Sequence, residues 1–208
     1  MKRILLSSFL LVLFCGLYAD EGMWLPMFLK YNEAEMREMG FHLTVEDVYS
    51  VNQNSMKDAV VLFGGGCTGE LISPDGLLLT NHHCGYSFVQ SHSTMEHNYL
   101  QDGFWARSRE EELPNQGLTV TFLVRMEEVT DKVLAGVKSD MTESERNSLI
   151  QANAAKLKRE AVAGTHYTAS IKSFYYGNQY VMFVNETFED VRLVGAPPES
   201  IGKFGGDT

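Results

Sequence analysis

The chain has 208 residues, of which 44% are hydrophobic and 21% are charged, so a disordered tail and a collagen-like repeat are both excluded. Its 27 acidic and 17 basic side chains give a net charge of -10, and its largest basic cluster is only Lys156, Lys158 and Arg159. Because a chain this acidic repels phosphate backbones, the composition argues against a nucleic acid as a partner.

Residues 1–19 have the pattern of a secretory signal peptide. Lys2 and Arg3 are followed by an apolar segment, Ile4–Tyr18, and then by the small residue Ala19. The apolar segment is about 15 residues long, shorter than the roughly 20 that span a bilayer, which disfavours the alternative of a retained membrane anchor. Cleavage after Ala19 removes two bases and no acid, so the net charge changes from -10 to -12. We therefore expect a secreted or periplasmic protein without a membrane span.

Two cysteines remain once the leader is removed. Cys15 lies in the leader, and Cys67 and Cys84 form an even pair in an oxidising compartment, which predicts a disulfide between them. The alternative is a metal site that combines both cysteines with His82 and His83. Consecutive His-His-Cys ligands do not fit the usual zinc spacings, so we expect no metal.

Helices are predicted at the start of the mature chain and strands after them. Residues 20–57 are expected to be mostly helical, with Pro26 opening the first helix, Gly40 closing it and a second short helix beginning at Thr44. From Asp58 the pattern changes to a β-meander interrupted by glycines. Strands are expected at 59–63, 67–73, 77–81 and 118–124, with a helix or an ordered loop over 86–105.

One long helix is predicted near 142–163, because Thr142 and Glu145 form a capping box before an apolar periodic segment. Two further strands, at 167–176 and 179–194, are expected to flank a two-residue hairpin turn at Gly177-Asn178, with a loop over 199–208. The sequence therefore predicts a mainly β fold with added helices. A helical segment over 20–57 precedes a β region over 58–208, into which the long helix is inserted.

Gly64, Gly66 and Gly69 match the spacing of a dinucleotide-binding fingerprint and follow a predicted strand. That fingerprint requires a helix N-terminus for the pyrophosphate, whereas here a strand and a Pro74–Gly76 turn are predicted to follow. The glycines are better explained by a tight bend of the β region. We therefore expect no nucleotide and no other cofactor.

The segment Cys67–Cys84 carries the strongest chemical signal. It is a predicted hairpin that ends in Thr80, Asn81 and the pair His82-His83. A histidine that acts as a general base must be held rigidly beside its nucleophile, and a strand end adjoining a disulfide would hold it so. The pattern resembles that of the trypsin-like serine peptidases. By that resemblance His83 is the catalytic general base, and His82 is a neighbour with a structural role.

A second resemblance covers nearly the whole mature chain. The motifs that carry it are Asp20–Trp24, Asp58–Gly69, Leu79–Tyr86, Ser93–Thr94, His97–Leu100, Asp102–Phe104, Glu112–Pro114, Asp190–Pro198 and Ser200–Thr208. They resemble the bacterial family of dipeptidyl-peptidases 7 and 11. The resemblance implies a secreted serine exopeptidase that releases dipeptides from peptides with a free N-terminus. It also implies a trypsin-like double β-barrel, of which this chain would supply most of the first barrel, and a homodimer is left open.

The same resemblance implies that the chain is an N-terminal fragment. In the family, the catalytic aspartate follows in a His-Thr-Gly-Asp motif and the serine in a Gly-Asn-Ser-Gly-Ser-Pro motif, and both are expected beyond Thr208. Neither Asp190 nor Asp207 is assigned to the triad, so His83 is the one triad residue carried over. The alternative hypothesis is a secreted binding module that keeps the barrel without its chemistry.

Overall fold

The computed structural model describes residues 24–51 and 53–203. The predicted signal peptide, 1–19, lies outside the described residues, as does the segment 204–208. The chain divides into two compact units, residues 1–45 and residues 46–208. Among the described residues, no helix combines the length and the apolar character that a bilayer crossing requires.

The first unit is built from short helices. A 3-10 helix, Pro26–Tyr31, is followed by α1 (Glu33–Glu38), which ends where Gly40 adopts a positive φ of 93°. Such a φ is readily available to glycine, which lacks a Cβ atom. Helix α2 (Val45–Val48), which belongs mostly to the second unit, begins next to Thr44, where a second helix was predicted. Between residues 24 and 57, the part of the predicted helical segment that the structure describes is helical only in several short pieces.

The second unit contains all the strands of the described residues and the longer helices. The strands are β1 (Val60–Phe63), β2 (Cys67–Leu71), β3 (Leu78–Thr80), β4 (Phe104–Trp105), β5 (Leu113–Pro114), β6 (Val120–Glu128), β7 (Thr168–Phe174), β8 (Gln179–Phe188), β9 (Arg192–Leu193) and β10 (Gly195–Ala196). The helices are α3 (His82–His92), α4 (Tyr99–Asp102), α5 (Thr130–Val133), α6 (Glu143–Ala161) and α7 (Glu199–Gly202), with 3-10 turns at Met56–Asp58, Arg109–Glu111 and Tyr175–Gly177.

Six of these strands form one antiparallel sheet with the order β3-β2-β1-β6-β8-β7. Strand β6 joins its two halves, because it pairs with β1 on one side and with β8 on the other. Its register against β8 shifts between Leu123 and Arg125, an irregularity that bends a strand. Strands β3 and β7 are the sheet edges, so over the described residues the barrel is open. The predicted mainly β fold with added helices is confirmed.

Two apolar clusters cover opposite ends of this sheet. The first is formed by Val61, Phe63, Leu118 and Val120, and side chains from α3 pack against it. The second is formed by Val129, Val133, Met182 and Val184, and side chains from α6 pack against it. The first cluster is the one that supports the candidate site, because α3 begins with His82 and His83.

Helix α6 begins as predicted. The Thr142 hydroxyl accepts a hydrogen bond from the Glu145 backbone N–H at 3.3 Å, and the Glu145 carboxylate accepts one from the Thr142 N–H at 2.9 Å. The predicted two-residue turn at Gly177-Asn178 is wrong. The connection between β7 and β8 spans residues 175–178, and Tyr175 and Tyr176 take positive φ values of 49° and 58°.

Candidate active site

The candidate site lies where β3 ends and α3 begins. Strand β3 pairs with β2, and the Thr80 hydroxyl donates a hydrogen bond to the Thr68 carbonyl at 2.7 Å. The two strands approach closely because Gly69 stands opposite Thr80, where a Cβ atom would lie 2.9 Å from the Leu78 side chain. The chain then leaves the sheet at Asn81, whose backbone is extended, and turns into the helix.

His83 therefore lies in the first turn of a helix, and the expectation that a strand end holds it is wrong. The apolar pattern of 77–81 was assigned correctly to a strand. The following residues, however, alternate in no clear period, and helix α3 forms because Val89 is buried and because Cys84 and Phe88 pack on the first core cluster. Rigid support of His83 thus comes from a packed helix turn as well as from the sheet.

The predicted disulfide is present between Cys67 and Cys84, with 6.1 Å between their Cα atoms. It connects the start of β2 to the first turn of α3. Cys67 is itself paired with Phe63 in the β1–β2 ladder, so the bridge ties this helix turn to a central part of the sheet. It closes a loop of 17 residues, which in the chain-entropy model stabilises the fold by about 3 kcal/mol.

The two histidines at this turn have opposite environments. His83 is solvent exposed, and one of its ring nitrogens lies within 4.8 Å of both Cys67 and Cys84 sulfur atoms. His82 is half-buried, and both of its ring nitrogens are shielded from solvent without a hydrogen-bond partner in the described part of the chain. Its ring meets the edge of Tyr86 with 5.8 Å between centroids. Of this pair, only His83 presents its ring to a molecule in solution.

Cys67, His83 and Cys84 are also the one group of three close metal-type ligands in residues 24–51 and 53–203. Both sulfur atoms are committed to the disulfide, whereas a metal binds the thiolate form of cysteine. The pair could hold a metal only after reduction. The donor set present is therefore a poor fit to a metal centre.

The other candidate side chains are engaged in structural contacts. His92, at the last turn of α3, makes a 2.9 Å hydrogen bond through Nε2 to the Oδ1 atom of the buried residue Asn115. Asp190 accepts two hydrogen bonds from Arg192, at 2.9 and 2.8 Å, and these bonds lower the pKa of its carboxyl group. Neither residue lies with His83 at the helix turn.

Sequence reasoning missed Gly202, which lies against the His82 ring. A Cβ atom at residue 202 would lie 2.2 Å from Cδ2 of that ring. No periodicity or local motif connects a glycine near residue 200 with a histidine at residue 82, because their contact depends on the tertiary fold. The family motif Ser200–Thr208 marked the segment but not its partner.

An exposed imidazole on a rigid turn is suited to general acid–base chemistry. A neutral histidine accepts a proton from a nucleophile and then donates it to a leaving group. The helix turn, the disulfide and the sheet together reduce the freedom of the His83 backbone. Oriented in this way, the imidazole needs only a nucleophile and a carboxylate partner to form a Ser-His-Asp arrangement.

Comparison with known proteins shows the family of the chain. The model of the Peptidase S46 family matches residues 19–208. The chain is 51% identical over 205 residues to dipeptidyl-peptidase 7 of Capnocytophaga gingivalis and 53% identical over 213 residues to the Asp/Glu-specific dipeptidyl-peptidase of the same organism. These alignments cover 98% and 100% of this chain but 29% of each relative.

Solved structures show the same similarity. DPP11 of Porphyromonas endodontalis in an alternate conformation superposes with a TM-score of 0.80 at 47% identity, covering 91% of this chain and 29% of that one. The same enzyme in complex with the dipeptide Arg-Glu superposes with a TM-score of 0.75 at 46% identity, covering 89% and 28%. From the extent of these matches, the chain belongs to the Peptidase S46 family of serine peptidases.

Proposed function

We propose that this chain is the N-terminal part of a secreted bacterial serine-type dipeptidyl-peptidase. The enzyme releases dipeptides from peptides that have a free N-terminus, and His83 is its general base. The names of the relatives and the dipeptide complex of DPP11 support the activity. The leader sequence supports secretion to the periplasm or beyond.

The observation that carries the proposal is the contrast between the two neighbouring histidines. His83 presents an exposed imidazole at the first turn of α3, while His82 is enclosed by Tyr86 and Gly202. Cys84, the residue after His83, is bonded to the sheet through Cys67. This arrangement fixes the backbone on both sides of an accessible base, as proton transfer in a transition state requires.

In the proposed mechanism, the His83 imidazole takes the proton of a serine hydroxyl as that oxygen attacks the peptide carbonyl. It then donates the proton to the departing amine, which leaves the dipeptide as an ester of the serine. The same imidazole takes a proton from water, which hydrolyses the ester and releases the dipeptide, while an aspartate orients the ring. The chain spans only 29% of the length of the curated relatives. In this proposal the serine and the aspartate belong to the part of the enzyme outside these 208 residues. The peptide substrate would bind in front of His83.

The sequence identities do not favour either of the two substrate preferences found among the relatives. Identity is 51% to a dipeptidyl-peptidase 7 and 53% to an Asp/Glu-specific enzyme, so this segment is about equally similar to both. We infer that the residues distinguishing the two specificities lie elsewhere in the enzyme, and that this segment supplies the common base.

The test is a His83→Ala substitution in the full-length protein, with His166→Ala as the control. Both histidines are exposed residues of the second unit. Removing the base should lower kcat for dipeptide release by about 10³-fold or more, while the control should stay within about twofold of wild type. Circular dichroism should show both variants folded.

Two results would contradict the proposal. Dipeptide release by His83→Ala at the rate of the control would show that His83 is not the base. Failure of the unmodified full-length protein to release dipeptides or to react with a fluorophosphonate probe would favour a non-catalytic binding module.

A further inference from the structure

We propose that Gly202 is a positioning residue for the general base: its missing side chain lets α7 lie directly against the His82 ring, and this contact fixes the helix turn that carries His83. The inference rests on the proposed function of His83. It assigns a role to a glycine that is far from the site in sequence and does not itself touch the reacting atoms.

The contact between Gly202 and His82 leaves no room for a side chain. A Cβ atom at residue 202 would lie 2.2 Å from Cδ2, 2.6 Å from Cγ and 2.7 Å from Nε2 of the His82 ring. Heavy atoms that are not bonded stay about 3.5 Å or more apart at their optimal separation. Any residue other than glycine must therefore displace either the ring or helix α7.

The His82 ring is held on its other side. Tyr86, one helical turn further along α3, meets it edge to face with a 69° angle between the ring planes. The Lys203 ammonium group lies 4.5 Å from the centroid of the Tyr86 ring, so the segment after Gly202 also contacts this pair. The imidazole is thus placed between an aromatic ring of its own helix and the backbone of α7.

Helix α7 is also restrained from moving away. The residue that caps its start, Pro198, accepts hydrogen bonds through its carbonyl from the Ile201 and Gly202 N–H groups at 2.9 Å each. Pro198 lies close to the backbone of Gly103, where a Cβ atom would be 2.9 Å from the proline Cδ atom. Strand β10 (Gly195–Ala196), shortly before Pro198, is hydrogen-bonded to β4. A side chain at residue 202 would therefore push mainly on His82.

A push on His82 reaches His83 because the two residues are neighbours in one helix turn. The disulfide holds Cys84 in place, so we expect a displacement of His82 to be taken up at His83 and to tilt its imidazole. A misplacement of about 1 Å at a reacting group can lower a rate by about 10²-fold. Substrate binding, by contrast, does not need the position of the base to the same accuracy.

The main test variant is Gly202→Ala in the full-length protein, and Gly66→Ala is its matched control. Neither glycine has a positive φ, and a Cβ atom at residue 66 would meet no atom within 4 Å. We expect Gly202→Ala to lower kcat for dipeptide release by about 10-fold to 100-fold with KM within about threefold of wild type. Gly66→Ala should leave both constants unchanged within about twofold.

A double-variant cycle tests whether the loss of kcat in Gly202→Ala depends on the His82 ring. His82→Ala removes the atoms that the new methyl group would strike, so adding Gly202→Ala to it should change kcat by less than about twofold. An equal fold-loss in both backgrounds would overturn the inference, as would a Gly202→Ala variant with the kcat of the control. A lower melting temperature with unchanged kcat would assign Gly202 to stability alone and would overturn it too.

The cycle also distinguishes this inference from the proposal on which it rests. If His83→Ala abolishes activity and Gly202→Ala does not affect kcat, the base is correct and the positioning role is wrong. If His83→Ala keeps full activity, the proposed function itself has failed.

Discussion

Two neighbouring valines of strand β1 provide a test of which sheet face stabilises the fold. Val61 is 2% exposed and belongs to the first core cluster, opposite Gly69 and Phe122 in the ladders. Val60 is 46% exposed on the other face. Substitution of each by alanine makes the same chemical change in the same strand, so the intrinsic β-propensity cost is common to both.

The expected magnitudes follow from burial. Removing the two methyl groups of a fully buried valine loses about 0.8 kcal/mol for each, and a residual cavity raises the total to about 2 kcal/mol. Val60 buries roughly half of its side chain and leaves no cavity, so its substitution should cost about 1 kcal/mol or less. Val61→Ala should therefore be clearly more destabilising than Val60→Ala.

Native-state hydrogen exchange of the β1 and β2 amides measures this difference, because slow amides report the free energy of opening. The free energy should fall about twice as far for Val61→Ala as for Val60→Ala. Equal losses, or a larger loss for Val60→Ala, would mean that the Val60 face is covered in the protein and that burial on the Val61 face does not dominate.

Two further predictions concern the disulfide and the long helix. Replacing both Cys67 and Cys84 by serine should lower the free energy of unfolding by about 3 kcal/mol and speed amide exchange in the first turn of α3. Dithiothreitol should have the same effect on the wild type and no effect on the variant. Unchanged exchange in the variant would contradict this prediction. Thr142→Ala should destabilise the start of α6 by about 1 kcal/mol, measured by exchange of its first-turn amides, with Glu143→Gln as a control. Hydrogen bonds from Thr142 lower the pKa of the Glu145 carboxyl group. The stability that comes from the ionised carboxylate is therefore present above the ordinary pKa of 4.5, and it is lost as the pH falls through the lowered pKa of the folded state. First-turn amide exchange that stays the same at acidic pH would contradict this prediction.

The elements that the sequence predicted well are those with strong local signals. The capping box of Thr142 and Glu145 predicted α6 because both hydrogen bonds lie within one turn. The β1–β2–β3 meander was predicted because glycines and the Pro74–Gly76 turn separate short apolar runs. The four-residue connection at 175–178 was predicted wrongly as a two-residue turn. Two of its residues are tyrosines with positive φ, a conformation that usually favours glycine and asparagine.

Composition and motifs alone determined the chemical identity of the candidate base and its disulfide neighbour. Spacing of residue types along the chain carried the family resemblance, and it led to His83, Cys67 and Cys84 without coordinates. The sequence could also tell that two histidines were adjacent, but it could not show from local pattern that their environments differ.

The difference between the two histidines arises from packing. His82 turns toward Tyr86 and Gly202, whereas His83 faces solvent, because α3 packs on the sheet with Cys84, Phe88 and Val89 and leaves one side of its first turn open. Contacts between segments far apart in the chain leave no periodic trace in the sequence. The amino-acid pattern therefore specified two candidate imidazoles, and packing determined which of them faces solvent.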